Sequence, residues 1–137
     1  MIVTIDPLLD AGELATARSL LASASWSDGR ITAGTQAAQA KNNRQLAEDE
    51  PNVAPLRRLV LQALSRSAMF FAAALPLKIL PPFFNRYADE ANAYGAHVDG
   101  AMRQAPDGSY VRTDLSATLF LSDPDSYDGG ELLIDDT

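Results

Sequence analysis

The sequence predicts an α+β domain whose helices come first and whose strands follow. Two observations carry this: apolar residues recur at spacings of three and four as far as Pro76, and from Ile79 onward short aromatic or β-branched runs alternate with Gly, Pro, Asp and Asn. The size agrees, because 137 residues with 47% apolar and 21% charged side chains can fill one core and leave no material for two domains.

The elements follow in order. Leu14, Ala17, Leu21 and Ala24 make one stripe, and Asp10 with Glu13 offers acceptors to the first turn, so a helix is expected over about residues 11–23. Residues 26–51 turn polar and glycine-bearing without a sustained period, which predicts a long surface loop. Within it Lys41-Asn42-Asn43 could reach a substrate or cap local backbone, with a solvated loop the reading taken, and Glu48-Asp49-Glu50 is read as a solvated charge run. Pro55 suits the first turn of a second helix, along which Leu56, Leu59, Val60, Ala63, Leu64, Phe70, Phe71 and Ala74 form the apolar face until Pro76 stops it. Strands are expected at 79–87, 93–99, 111–121 and 131–134 in a mainly antiparallel sheet. The third alternates cleanly, with Val111, Thr113, Leu115, Ala117, Leu119 and Leu121 on one face and Arg112, Asp114, Ser116 and Thr118 on the other. Ending at Thr137, straight after an apparent strand, the sheet would keep open edges, so the chain is expected to be the N-terminal part of a longer protein.

Charge and composition exclude several functions. Eleven Lys and Arg against eighteen Asp and Glu give a net charge of −7, and the basic residues are scattered, so no nucleic-acid partner is expected. Without cysteine there is no disulfide, zinc ribbon or thiol nucleophile, and any metal must be held by nitrogen and oxygen. The longest uncharged stretch, 67–77, falls short of the about 20 residues that cross a bilayer, and the N-terminus lacks the basic start of a secretory signal. A cytoplasmic protein without membrane contact is the expectation. The acidic segment 123–131 fails as a calcium loop, because an aspartate falls where glycine is needed and Ile134 where the last glutamate belongs.

The single histidine, His97, stands two residues before Asp99. On an extended segment such residues share a side about 6.5–7 Å apart, near enough for an imidazole nitrogen and a carboxylate oxygen to converge on one cation. The same spacing also suits a hydrogen-bonded histidine beside a loop aspartate, and the pair alone leaves both open. Its surroundings are more specific. Asn85-Arg86-Tyr87, Tyr94-Gly95-Ala96-His97-Val98-Asp99-Gly100-Ala101, the run Arg112 to Pro124, and Tyr127-Asp128-Gly129-Gly130-Glu131-Leu132 together closely resemble the bacterial PKHD-type hydroxylases, Fe(II)/2-oxoglutarate dioxygenases related to prolyl and lysyl hydroxylases. Asp28-Gly29-Arg30, the 39–43 block and the 70–76 helix end extend the likeness over nearly the whole chain.

That resemblance implies a double-stranded β-helix, or jelly roll, whose first part is 77–137, buttressed by an N-terminal helical segment with a long loop, 1–76. It implies iron held by His97 and Asp99, 2-oxoglutarate contacted by Tyr87 and Ser116, and Arg112 on the same polar face for the substrate. It further implies O2 as cosubstrate, L-ascorbate to keep the iron reduced, and hydroxylation of an unactivated C–H bond in a small molecule or a protein or peptide. The family's distal iron histidine and its 2-oxoglutarate-pairing arginine lie on later strands, so the isolated chain is expected to be inactive. From another class comes a non-catalytic module, a truncated barrel for binding or oligomerisation as a homodimer. It would carry the same fold without the chemistry.

Overall fold

A computed structural model describes residues 1–135, with the side chain of Gln36 left aside. The expected stop at Thr137 lies outside the described residues.

The first helix, α1 (Ala11–Ser23), begins where the sequence places it. Asp10 Oδ1 accepts from the Glu13 amide at 2.8 Å, and Glu13 Oε2 accepts from the Asp10 amide at 3.0 Å, a reciprocal cap that satisfies two otherwise orphaned donors. The region 26–51 is not one loop. It builds β1 (Trp26–Asp28), a 3-10 turn (Gly29–Thr32), α2 (Thr35–Ala40), β2 (Lys41–Asn42) and β3 (Arg44–Leu46). Elements of two to six residues are too short to display a period, so only their polarity shows in the sequence.

The second expected helix is two, α3 (Val53–Arg66) and α4 (Ala68–Ala74), parted at Ser67. The Ser67 amide still donates to the Leu64 carbonyl, and its hydroxyl accepts from the Phe70 amide at 3.1 Å, so one side chain closes the first helix and caps the next. The apolar period runs through the break because both helices present apolar residues. Leu75 then ends α4 in the left-handed conformation, its amide donating to the Phe71 carbonyl at 2.9 Å.

Among the described residues seven short strands make three small antiparallel sheets. They are β1-β3-β4, closed by β4 (Asn85–Arg86), β2-β5, with β5 (Ala93–Tyr94), and the hairpin of β6 (Met102–Gln104) and β7 (Tyr110–Arg112). Among the described residues they form no closed barrel. The long alternating run expected at 111–121 pairs only as far as Arg112, and 131–134 forms no strand. A pleated segment needs a ladder partner for its amides and carbonyls; past the Thr113 amide, which donates to the Ala101 carbonyl at 3.0 Å, no paired strand accompanies these stretches among the described residues. Leu115 and Phe120 are consequently exposed, whereas Leu119 and Leu121 pack on the core and the Leu121 carbonyl accepts from Arg18 Nε at 2.7 Å.

The core gathers Leu9 and Ala17, Leu46 of β3, Val53, Leu56, Val60 and Ala63 of α3, and Phe84. Its α3 members recur at three and four, which is the helical face the sequence predicts. No helix among the described residues is long and apolar enough to cross a membrane.

Candidate metal centre

The site grows out of the β2-β5 pairing. Lys41 stands opposite Tyr94 and Asn42 opposite Ala93, and the Gly95 amide donates to the Ala40 carbonyl at 2.8 Å. A Cβ built on Gly95 would meet that of Ala40 at 3.4 Å, so the two small residues let the backbones close. The strand expected over 93–99 pairs only over Ala93–Tyr94 and is followed by a bend at Ala96. His97 Nδ1 lies 2.8 Å from the Gly95 carbonyl, and the imidazole stacks on Tyr94 with ring centres 3.7 Å apart and planes 9° from parallel.

A carbonyl can only accept, so Nδ1 carries the proton, and in the neutral imidazole Nε2 is a lone pair. That lone pair faces Asp99 Oδ1 at 3.2 Å. Two acceptors at this distance repel unless a proton or a cation lies between them. The separation matches the roughly 3.0 Å edge between neighbouring ligands about 2.1 Å from an octahedral divalent ion. His97 and Asp99 therefore fit a cation as two adjacent ligands. Asp99 is largely open to solvent and the imidazole is a quarter exposed, so the pair is accessible. Among the described residues no group of three or more His, Asp or Glu side chains gathers in a metal-holding arrangement.

Behind it lies a polar cluster that the sequence did not advertise. Lys41, expected in a solvated loop, is only 9% exposed, and its ammonium donates to Gln45 Oε1 at 3.0 Å and to Thr32 Oγ1 at 3.2 Å. Its Nζ stands 5.4 Å from the centre of the Tyr94 ring. Burial pulls the Lys41 pKa below the ordinary lysine value, with Arg103 acting the same way and Asp28 opposing. Burial also pushes the Tyr94 phenol up, reinforced by Asp99 and Tyr87. Asn43 and Gln45 are buried as well, at 2% and 1% exposure, while Asn42 faces out and donates to the Glu90 carbonyl. The signal for this burial is a lysine two residues from an asparagine and four from a glutamine, legible as alternation only once the strands are known.

The remaining candidates are less gathered. Tyr87 is half exposed and near enough to Tyr94 to influence it. Arg112 ends β7 opposite Met102, its exposed guanidinium paired with Asp114 at 2.7 Å. Ser116, expected beside it on a strand face, lies exposed in the unpaired stretch after β7. Two hollows of about 360 and 670 Å³ open nearby, the first around Glu48, Arg57, Phe83 and Arg103, the second around Asp28, Arg30, Asn42 and Asn43. Neither is lined by His97 or Asp99.

Comparison with known proteins agrees with the sequence resemblance. The whole chain is 65% identical to a PKHD-type hydroxylase of Nitrosomonas europaea, of whose length it spans 61%. It is 58% identical, again over its whole length, to one of Azoarcus sp. (60% of that protein), and 53% identical to one of Bordetella pertussis (61%). No family model matches the chain.

Proposed function

We propose that this chain, kin along its whole length to proteins named PKHD-type hydroxylases, carries the metal-binding half of an Fe(II)/2-oxoglutarate-dependent dioxygenase. The observation that supports it most is the approach of His97 Nε2 to the Asp99 carboxylate at 3.2 Å, within a chain 65% identical to a hydroxylase. Bound there, Fe(II) with 2-oxoglutarate and O2 would supply the oxidising power to hydroxylate an unactivated C–H bond.

The chain's own residues do the holding and orienting. Gly95 fixes the imidazole tautomer through its carbonyl, and Asp99 supplies the negative charge that offsets the cation. Tyr87 and Ser116 are the proposed contacts to 2-oxoglutarate and Arg112 a proposed substrate contact, brought to the iron when a complete jelly roll pairs the stretch after β7. A second histidine, which the 137 residues do not hold, would come from the part of the relatives' length that this chain does not span. L-ascorbate as reductant and a cytoplasmic setting belong to the same proposal.

The test is anaerobic titration of the chain with Fe(II) and 2-oxoglutarate. A visible metal-to-2-oxoglutarate charge-transfer band is expected, absent from His97→Ala and Asp99→Ala. A band that persists in both variants, or none in the wild type, overturns the assignment of these ligands. One observation favours a second reading, a non-catalytic binding or oligomerisation module: Leu132, Leu133 and Ile134 are exposed in a row. Sedimentation would then show a tight dimer and the titration no band.

A further inference from the structure

Lys41 and Tyr94 have no part in the chemistry just described, yet the backbone pairs them across β2 and β5 and the only histidine leans on one of them. A lysine 9% exposed is costly to bury, and among the described residues this one has no carboxylate partner; it donates to a hydroxyl and an amide oxygen. Its remaining neighbour is the electron-rich face of an aromatic ring 5.4 Å away. The ring in turn covers the imidazole at 3.7 Å with nearly parallel planes. Exposed loop histidines rotate freely about two side-chain bonds. Here the Gly95 carbonyl fixes one edge of the ring and Tyr94 fixes its face, so Nε2 can point in one direction only.

We propose that Tyr94, anchored by the buried Lys41, is a positioning residue that holds the His97 imidazole in its metal-binding orientation. This rests on the proposal that His97 is a ligand. Outer groups that orient a ligating histidine typically change metal affinity by about 10–100-fold when removed. Tyr94 is held partly by its strand, so the lower end of that range applies.

Since His97 is the sole histidine, its two carbon-bound ring protons give one unambiguous pair of NMR signals in the metal-free protein. In the wild type the ring current of Tyr94 should displace them upfield. Tyr94→Leu should return them to free-histidine positions and weaken Fe(II) binding about tenfold. Lys41→Met should move both in the same direction by less. Tyr94→Phe, which keeps the ring, should preserve shift and affinity, while Trp26 fluorescence confirms that every variant is folded. Unchanged shift or affinity in Tyr94→Leu overturns the proposal, as does a loss in Tyr94→Phe equal to that in Tyr94→Leu. His97→Ala separates the two readings: if it binds Fe(II) like wild type, the ligand assignment itself fails, whereas if it alone weakens binding, the assignment stands and only the positioning role fails.

Discussion

Replacing Gly29 by alanine should destabilise the protein by about 3 kcal/mol. Gly29 opens the 3-10 turn after β1, and its amide donates to the Asn43 carbonyl at 2.9 Å. A Cβ there would lie 1.8 Å from Asn43 Oδ1, 2.9 Å from its Cγ and 3.1 Å from its carbonyl oxygen, where ordinary contact begins at 3.4 Å. The amide must therefore retreat by about 1.6 Å from a site where Asn43 is 2% exposed. That movement forfeits the hydrogen bond from Asn43 Nδ2 to Asn85 Oδ1, worth about 1 kcal/mol, and overpacking adds about 1–3 kcal/mol. For a chain of this length the melting temperature should fall by about 10 °C. Urea unfolding followed through Trp26 measures it, with Gly34→Ser as control, since a Cβ at Gly34 meets nothing within 4 Å. If Gly29→Ala unfolds within about 0.5 kcal/mol of wild type at unchanged m-value, the packing argument is wrong.

Leu56, fully buried in the first turn of α3, should cost about 3 kcal/mol when cut to alanine, read by the same unfolding curves. The Arg30 guanidinium beside Asp28, with help from the Arg30 amide, lowers the Asp28 pKa to about 2. Because the folded value lies below the unfolded one near 3.9, the ionised Asp28 stabilises above about pH 4 and loses that effect as pH falls toward 2. The stability gap between wild type and Asp28→Asn should be constant near neutrality and vanish over that window. Lys41 also gains with rising pH, though here burial disfavours the charged form. Its lowered pKa means the unfolded chain holds the proton longer, so wild type should gain stability relative to Lys41→Met as pH rises toward about 10.4, and a falling difference would contradict the burial.

How much of this was legible beforehand depended on element length. Residues 11–23 announced themselves because thirteen residues carry a full stripe and Asp10 and Glu13 mark the start. The break at Ser67 leaves no signal in the sequence, because apolar spacing alone cannot tell one long helix from two that share a capping serine. Strands of two or three residues leave no alternation to read, so β1, β2 and β3 passed for loop and the burial of Lys41, Asn43 and Gln45 went unseen. After β7 the reverse holds: Val111 to Leu121 alternates well yet its strand pairing ends at Arg112. Alternation shows that a segment suits a ladder, and only a neighbouring strand provides one. The spacing of His97 and Asp99 suggests that they lie close, and they do, but beyond the β5 ladder, which ends at Tyr94, with His97 held by the Gly95 carbonyl and the Tyr94 ring.

The seam between β2 and β5 joins Lys41 to Tyr94 across 53 positions of chain. Closing a loop of that size carries an entropic cost that the local contacts of α1 and α3 do not share. During refolding the helices should gather first, and the imidazole should find its stacking partner late, once residues 26–46 have folded against 85–95. Histidine signals would then sharpen after the tryptophan has reached its native environment, so competence to bind a metal would mark the end of folding.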